Sequence, residues 1–177
     1  MTKQPIPLIV GFGTHGKDTL AELITEEYGI KFRGSSEVAS ELIVYPFMRK
    51  FYPNSTACFN DRRRHRLLWY NLICQYNSYD PTRLAKAVCE GGYGYTGLRE
   101  RIEVETSLEE KLFTHVIWIE DPNKRKDDPT MKFDYGCLVD WKKYYPDFKL
   151  TYVSNNGGIE DLRNKVASDE FKAFIKS

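Results

Sequence analysis

An α/β fold with a parallel sheet covered by helices is what this sequence predicts, and three observations predict it. PLIV (7–10) and HVIWIE (115–120) are short, apolar and rich in branched residues, as strands buried on both faces are. Stretches with helical spacing of apolar residues alternate with such runs along the chain. The first run leads at once into glycines and then a helical stretch, so the chain opens as strand, turn, helix. At 177 residues there is room for one well-buried domain, since domains commonly run about 100 to 200 residues.

After the strand 7–10, Leu20, Leu23, Ile24 and Tyr28 recur at helical spacing, and Gly29 marks the stop. Residues 30–33 read as a second short strand, followed by a loop at Gly34, Ser35 and Ser36 and a helix over 37–44 ended by Pro46. Pro53, Asn54, Ser55 and Asn60 predict a loop over 49–60. DRRRHRLLWYNLICQYN predicts one long helix from a cap at Asp61, with Leu68, Leu72, Ile73 and Tyr76 on one stripe. DPTRLAKAVCEGG (80–92) predicts a helix with Pro81 in its first turn, YGYTG (93–97) a strand, and 98–112 a charged helix. The strand 115–120 precedes a polar stretch, DPNKRKDDPT (121–130). KLTYVSN (149–155) predicts the last strand and 159–175 the last helix. Helices between short apolar strands imply parallel pairing.

Composition narrows the function classes. Lys and Arg number 26 against 25 Asp and Glu, and a net charge of +1 offers no general attraction to nucleic acid or membrane. Any basic site is local. Cys58, Cys74, Cys89 and Cys137 lie far apart without a CxxC pair, which argues against zinc and against a disulfide framework. They read as reduced thiols packed as small apolar residues. The first apolar run, 6–10, is too short for a signal peptide or a membrane span, so the expectation is a soluble cytoplasmic protein with no membrane partner.

The chemistry is concentrated in GFGTHGKDTL (11–20). Gly11, four residues, Gly16 and Lys17 fit GxxxxGK between a buried strand and an amphipathic helix. In such a loop successive backbone N–H groups face phosphate oxygens, and small residues let the backbone approach them. The loop candidates are Gly11, Gly13, Thr14, His15, Gly16, Lys17, Asp18 and Thr19, with Lys17 reaching the β- and γ-phosphates. Asp18 stands where Ser or Thr commonly binds Mg²⁺; a carboxylate does so too, directly or through water, and Thr19 is the alternative ligand. Asp18 also suits the first turn of any helix.

GKDT after a glycine-rich turn, with RGSSEVASELIVYP, DRRRHRLLWYNLICQYN, YTGLRERIE, VIWIEDP and SNNGGIEDL in order, resembles the bacteriophage P-loop kinases described as deoxynucleoside monophosphate kinases. Residues 134–149 carry no pattern of that family. The resemblance implies a P-loop NTPase fold with a five-stranded parallel sheet flanked by helices, a helical substrate region at about 35–90 and a lid at about 121–134. It implies an ATP-dependent kinase using Mg²⁺, acting on small nucleotides in the host cytoplasm, with a homodimer left open. The alternative within kinases is phosphorylation of 5-hydroxymethyluracil in phage DNA, which would make DNA the partner.

Phosphoryl transfer calls for positive charge and alignment, which the planar fork of arginine supplies. Arg99 follows a strand by two residues, at the edge where open α/β sheets bind ligands. Arg62 and Arg66, four apart, would share a helix face as an acceptor-phosphate site, or form a solvated helix start. Arg125, with Lys124 and Lys126, would close with the lid, or belong to a solvated loop. Lys17, Arg99 and Arg125 are thus the catalytic candidates. Ser35 and Ser36 are candidates for the acceptor or for a helix cap, Trp69 for stacking on a base or for the core, and Asn155 and Asn156 for the adenine or for a simple turn. A GTPase-like switch would need an Asn-Lys-x-Asp sequence, which does not occur.

Overall fold

The computed structural model describes residues 5–126 and 128–177, so Met1 to Gln4 and Asp127, the latter within the expected lid, lie outside the described residues. Among the described residues a five-stranded parallel sheet has the order β2-β3-β1-β4-β5, with β1 Pro7–Val10, β2 Phe32–Gly34, β3 Gly94–Thr96, β4 His115–Glu120 and β5 Lys149–Ser154. β1 lies in the middle, with Leu8 opposite Tyr95 on one side and Val116 on the other. Every strand of a parallel sheet ends at the same edge. The segments after Val10, Gly34, Thr96, Glu120 and Ser154 therefore share that edge.

Period-two alternation divides the core between the two faces. Leu8, Val10, Val116 and Trp118 point into the larger cluster, with Val38, Leu84, Leu98, Val104 and Leu138. Ile9, Ile117 and Ile119 point the other way, onto Leu20, Ile24, Leu162, Val166, Phe171 and Ile175. That second layer is built by α1 Lys17–Tyr28, α9 Gly158–Ala167 and α10 Asp169–Lys176. Sequence predicted one helix over the last stretch; Ser168 divides it because its hydroxyl accepts from the Phe171 N–H and starts a second helix.

The larger layer is carried by α2 Ser35–Ala39, α3 Tyr45–Met48, α4 Ser55–Asp61, α5 Arg66–Tyr76, α6 Arg83–Cys89, α7 Arg101–Glu109 and α8 Tyr135–Tyr144. Several expectations are corrected here. The helix expected to end before Pro46 runs on to Met48, because a wide π-type turn over Ser40–Val44 joins α2 to α3 just ahead of the proline that lacks an N–H. The loop expected at 49–60 contains α4, capped by the Asn54 side chain, which accepts from the Ala57 N–H at 2.8 Å. Asp61 ends α4 instead of starting the next helix, and a 3₁₀ turn at Arg62–His65 separates it from α5. α7 begins only at Arg101, which leaves residues 97–100 as a loop after β3. Within 134–149, which had no expected structure, Tyr135–Tyr144 form α8, capped by Asp134 on the Cys137 N–H.

Candidate functional site

The glycine-rich loop leaves β1 at the carboxyl edge and enters α1. Gly11 is held at φ 149, and a Cβ there would meet the Ile119 carbonyl oxygen of β4, so only glycine passes this close to the neighbouring strand. Thr14, a β-branched residue, is held in the left-handed region at φ 64. Such strain persists where surrounding contacts impose it, and it concentrates in ligand-binding loops. Lys17 turns back along the loop, donating from Nζ to the carbonyls of Gly11 at 2.7 Å and Phe12 at 2.6 Å. Burial, and after it the Arg99 charge, pulls the Lys17 ammonium down to about 8, against the opposing pull of Asp18 and Asp128.

His15 is buried, 1% exposed, and its hydrogen bonds define its tautomer. Nδ1 accepts from the Asp121 N–H at 3.0 Å, so Nε2 carries the proton that goes to the Arg125 carbonyl at 3.2 Å. A neutral His15 thereby pins the segment after β4 onto the loop. Lys124 Nζ adds a bond to the Thr14 carbonyl at 2.7 Å. On the other side the Asn155 amide donates to the His15 carbonyl at 3.1 Å, and the Asn155 N–H to the Glu120 carbonyl at 2.7 Å.

Arg99, in the loop after β3, reaches the same place. Its Nη1 donates to Asp128 Oδ2 and, at 2.5 Å, to Thr130 Oγ1. The same Asp128 oxygen accepts the Gly13 N–H at 3.0 Å. Oδ1 accepts from the Thr130 N–H at 3.1 Å and hydroxyl at 2.6 Å. Burial raises the Asp128 carboxyl, but the Thr130 hydroxyl and the Arg99 guanidinium outweigh it and hold the group at about 2.

The remaining candidates fall at varying distances from this centre. Asp18 is exposed in the first turn of α1 and Thr19 is half-buried beside it. The Asp18 charge acts on both Lys17 and Arg62, which puts the arginine turn near the loop. Arg62 itself donates to the Phe59 carbonyl at 3.0 Å and lies over the Phe59 ring at 3.8 Å. Arg66 is exposed at the start of α5, and the helical turn that was to align the two is a 3₁₀ turn. Trp69 is a core residue, 5% exposed, and presents no free face on which a base could stack. Ser35 donates to the Gly97 carbonyl at 3.5 Å, and Ser36 is half-buried in the first turn of α2. Arg125 meets His15 through its carbonyl, while its side chain is exposed. Asn156 is exposed, its Oδ1 3.4 Å from Lys165 Nζ.

Asp128 and Thr130 were not foreseen. A signal for them exists: Asp-Pro-Thr recurs at 80–82, where Asp80 Oδ1 likewise accepts from the Thr82 N–H at 2.9 Å and hydroxyl at 2.6 Å. Among the described residues no group of three or more His, Cys, Asp or Glu could hold a metal ion. No helix among the described residues is long and apolar enough to cross a membrane.

No protein-family model matches this chain, and no curated protein matches it. Among solved structures it is similar to a sugar kinase from Janibacter sp., in an unliganded crystal structure, at 16% identity over 92% of each chain with a TM-score of 0.44.

Proposed function

We propose that residues 11–19 are a phosphate-binding loop and that the protein is a P-loop kinase that transfers the γ-phosphoryl group of ATP to a deoxynucleoside monophosphate, as the bacteriophage enzymes it resembles do. One observation carries the reading. At the carboxyl edge of the sheet a glycine-rich loop and two cations, Lys17 and Arg99, converge so closely that the Arg99 charge lowers the Lys17 pKa. Like charges are brought together at a cost, and an anion between them offsets it.

In this reading the loop N–H groups and Lys17 bind the ATP phosphates, Arg99 neutralises charge on the group in flight, and Arg62 faces the acceptor phosphate. Mg²⁺ carried by the nucleotide and touched by Asp18 or Thr19 would supply further neutralisation. Ser35 holds the loop that carries Arg99 through the Gly97 carbonyl, and His15 orients the loop by binding both ends of the 121–125 segment. The host cytoplasm is the compartment this activity would need. A second reading, phosphorylation of 5-hydroxymethyluracil in DNA, draws on the exposed side chains of Arg63, Arg64 and Arg66 beside the site.

Incubation with γ-labelled ATP and Mg²⁺ against separate panels of nucleoside monophosphates, unmodified DNA and 5-hydroxymethyluracil DNA tests both. Label is expected in a monophosphate pool and is expected to fall by about a hundredfold or more in Lys17→Ala. Label in modified DNA alone selects the second reading, and label in no pool removes both.

A further inference from the structure

We propose that Asp128 is an internal competitor for the phosphate site: its carboxylate holds the donors a ligand phosphate needs, so binding must displace it together with the Asp-Pro-Thr turn at 128–130. The inference rests on reading residues 11–19 as a phosphate-binding loop.

The donors on Asp128 are those of an anion site. Oδ2 takes one loop N–H, from Gly13, and one arm of the Arg99 guanidinium, with the Lys17 charge nearby. Backbone N–H groups and an arginine fork serve carboxylates and phosphates alike. The carboxylate is also aimed. The Asp-Pro-Thr turn engages Oδ1 through Thr130 and leaves Oδ2 to point outward. At the identical turn 80–82 the outward oxygen, Oδ2, meets the exposed Lys86, at 3.3 Å. Here it meets the loop.

Two anions cannot share these donors without strong repulsion. A phosphate on Gly13 and Arg99 therefore requires the carboxylate to leave. The other tethers of the 121–130 segment include His15 to the Asp121 N–H and Arg125 carbonyl, Lys124 to the Thr14 carbonyl, and the ion pair of Lys126 with Glu120 at the end of β4, 2.5 Å. Lys124 Nζ also lies 3.6 Å from the Asp121 carboxylate, so it keeps a partner if it swings off the loop. Departure of Asp128 frees Arg99, whose Nη1 is otherwise engaged by Asp128 and Thr130. Opening of the turn and activation of Arg99 are thus the same event.

Calorimetric titration of inorganic tripolyphosphate and of ATP into the full chain tests this, using wild type, Asp128→Asn, Asp128→Ala, Asp121→Asn and Lys17→Ala. Asp128→Asn and Asp128→Ala should both bind about tenfold tighter, since the competent state is no longer a minor fraction. Asp121→Asn, which removes a neighbouring charge that does not touch the loop, should change affinity less than about twofold. If Asp121→Asn tightens binding as much as the Asp128 variants, general charge explains the effect and the proposal is wrong. Unchanged or weaker binding in both Asp128 variants, with wild type binding and Lys17→Ala not, overturns the competitor and leaves the loop reading intact. Absence of binding in every protein removes the loop reading and the competitor with it. Amide exchange gives a readout without ligand: the Gly13 N–H should exchange faster in Asp128→Ala than in wild type, and equal protection overturns the proposal.

Discussion

Lys17 holds its charge under unfavourable conditions, being largely desolvated and feeling Arg99, while its bonds to two carbonyls of its own loop favour the ammonium. Burial and the Arg99 charge lower its pKa from 10.5 to about 8, against the opposing pull of Asp18 and Asp128. A phosphate beside it favours the ammonium and raises that pKa again. Nucleotide binding at pH 8.5 should therefore take up about half a proton or more per site. Calorimetry at that pH in buffers of different ionisation heat measures the uptake, and Lys17→Arg, charged throughout, should show none. Equal uptake in the two proteins would place the titrating group elsewhere.

At the scale of the element, the join between α5, α6 and α7 turns on one buried acid. Asn77 donates from Nδ2 to Glu103 Oε1 at 2.6 Å and accepts the Leu84 N–H at 3.1 Å, and both Asn77 and Glu103 are buried. Burial raises the Glu103 carboxyl to about 7, with the Asn77 bond opposing. The folded state then holds this proton more tightly than the unfolded state. Its contribution to stability is complete below the unfolded pKa of about 4.3 and is lost as pH rises through 7. Glu103→Gln keeps an acceptor for Asn77 without the charge, so it should be more stable than wild type by about 1 to 3 kcal/mol at pH 8 and close to it at pH 5. Urea unfolding at the two pH values measures this; a difference independent of pH would show that Glu103 does not titrate in this range.

The whole molecule is two apolar layers sharing one sheet. Leu84 lies in one layer and Leu162 in the other, each 1% exposed, and β1 and β4 contribute alternate residues to both. Each leucine truncated to alanine should cost about 3 kcal/mol. Because the two leucines belong to separate core clusters that the sheet joins, the double variant should unfold in one transition with costs that add to within about 0.5 kcal/mol. Two separate transitions in a thermal melt would show that the layers fold independently.

Local chemistry determined what was legible without coordinates. PLIV and HVIWIE are strands with the expected bounds, because a short branched run flanked by turns has one good conformation. The loop at 11–16 and the placement of Arg99 just after a strand also followed, since glycines and strand ends are sequence-local features. The Asp-Pro-Thr turns are local as well: the same three residues form the same hydrogen bonds at 80–82 and 128–130. What only the tertiary structure decided is where the outward oxygen of each turn lands. Residues 80 and 86 lie close in the chain, whereas Gly13 and Asp128 are 115 residues apart. They meet because parallel pairing of β1 with β4 brings the two following loops to the same edge. The same pairing makes His15 a clamp, an outcome with no signature in the residues nearby.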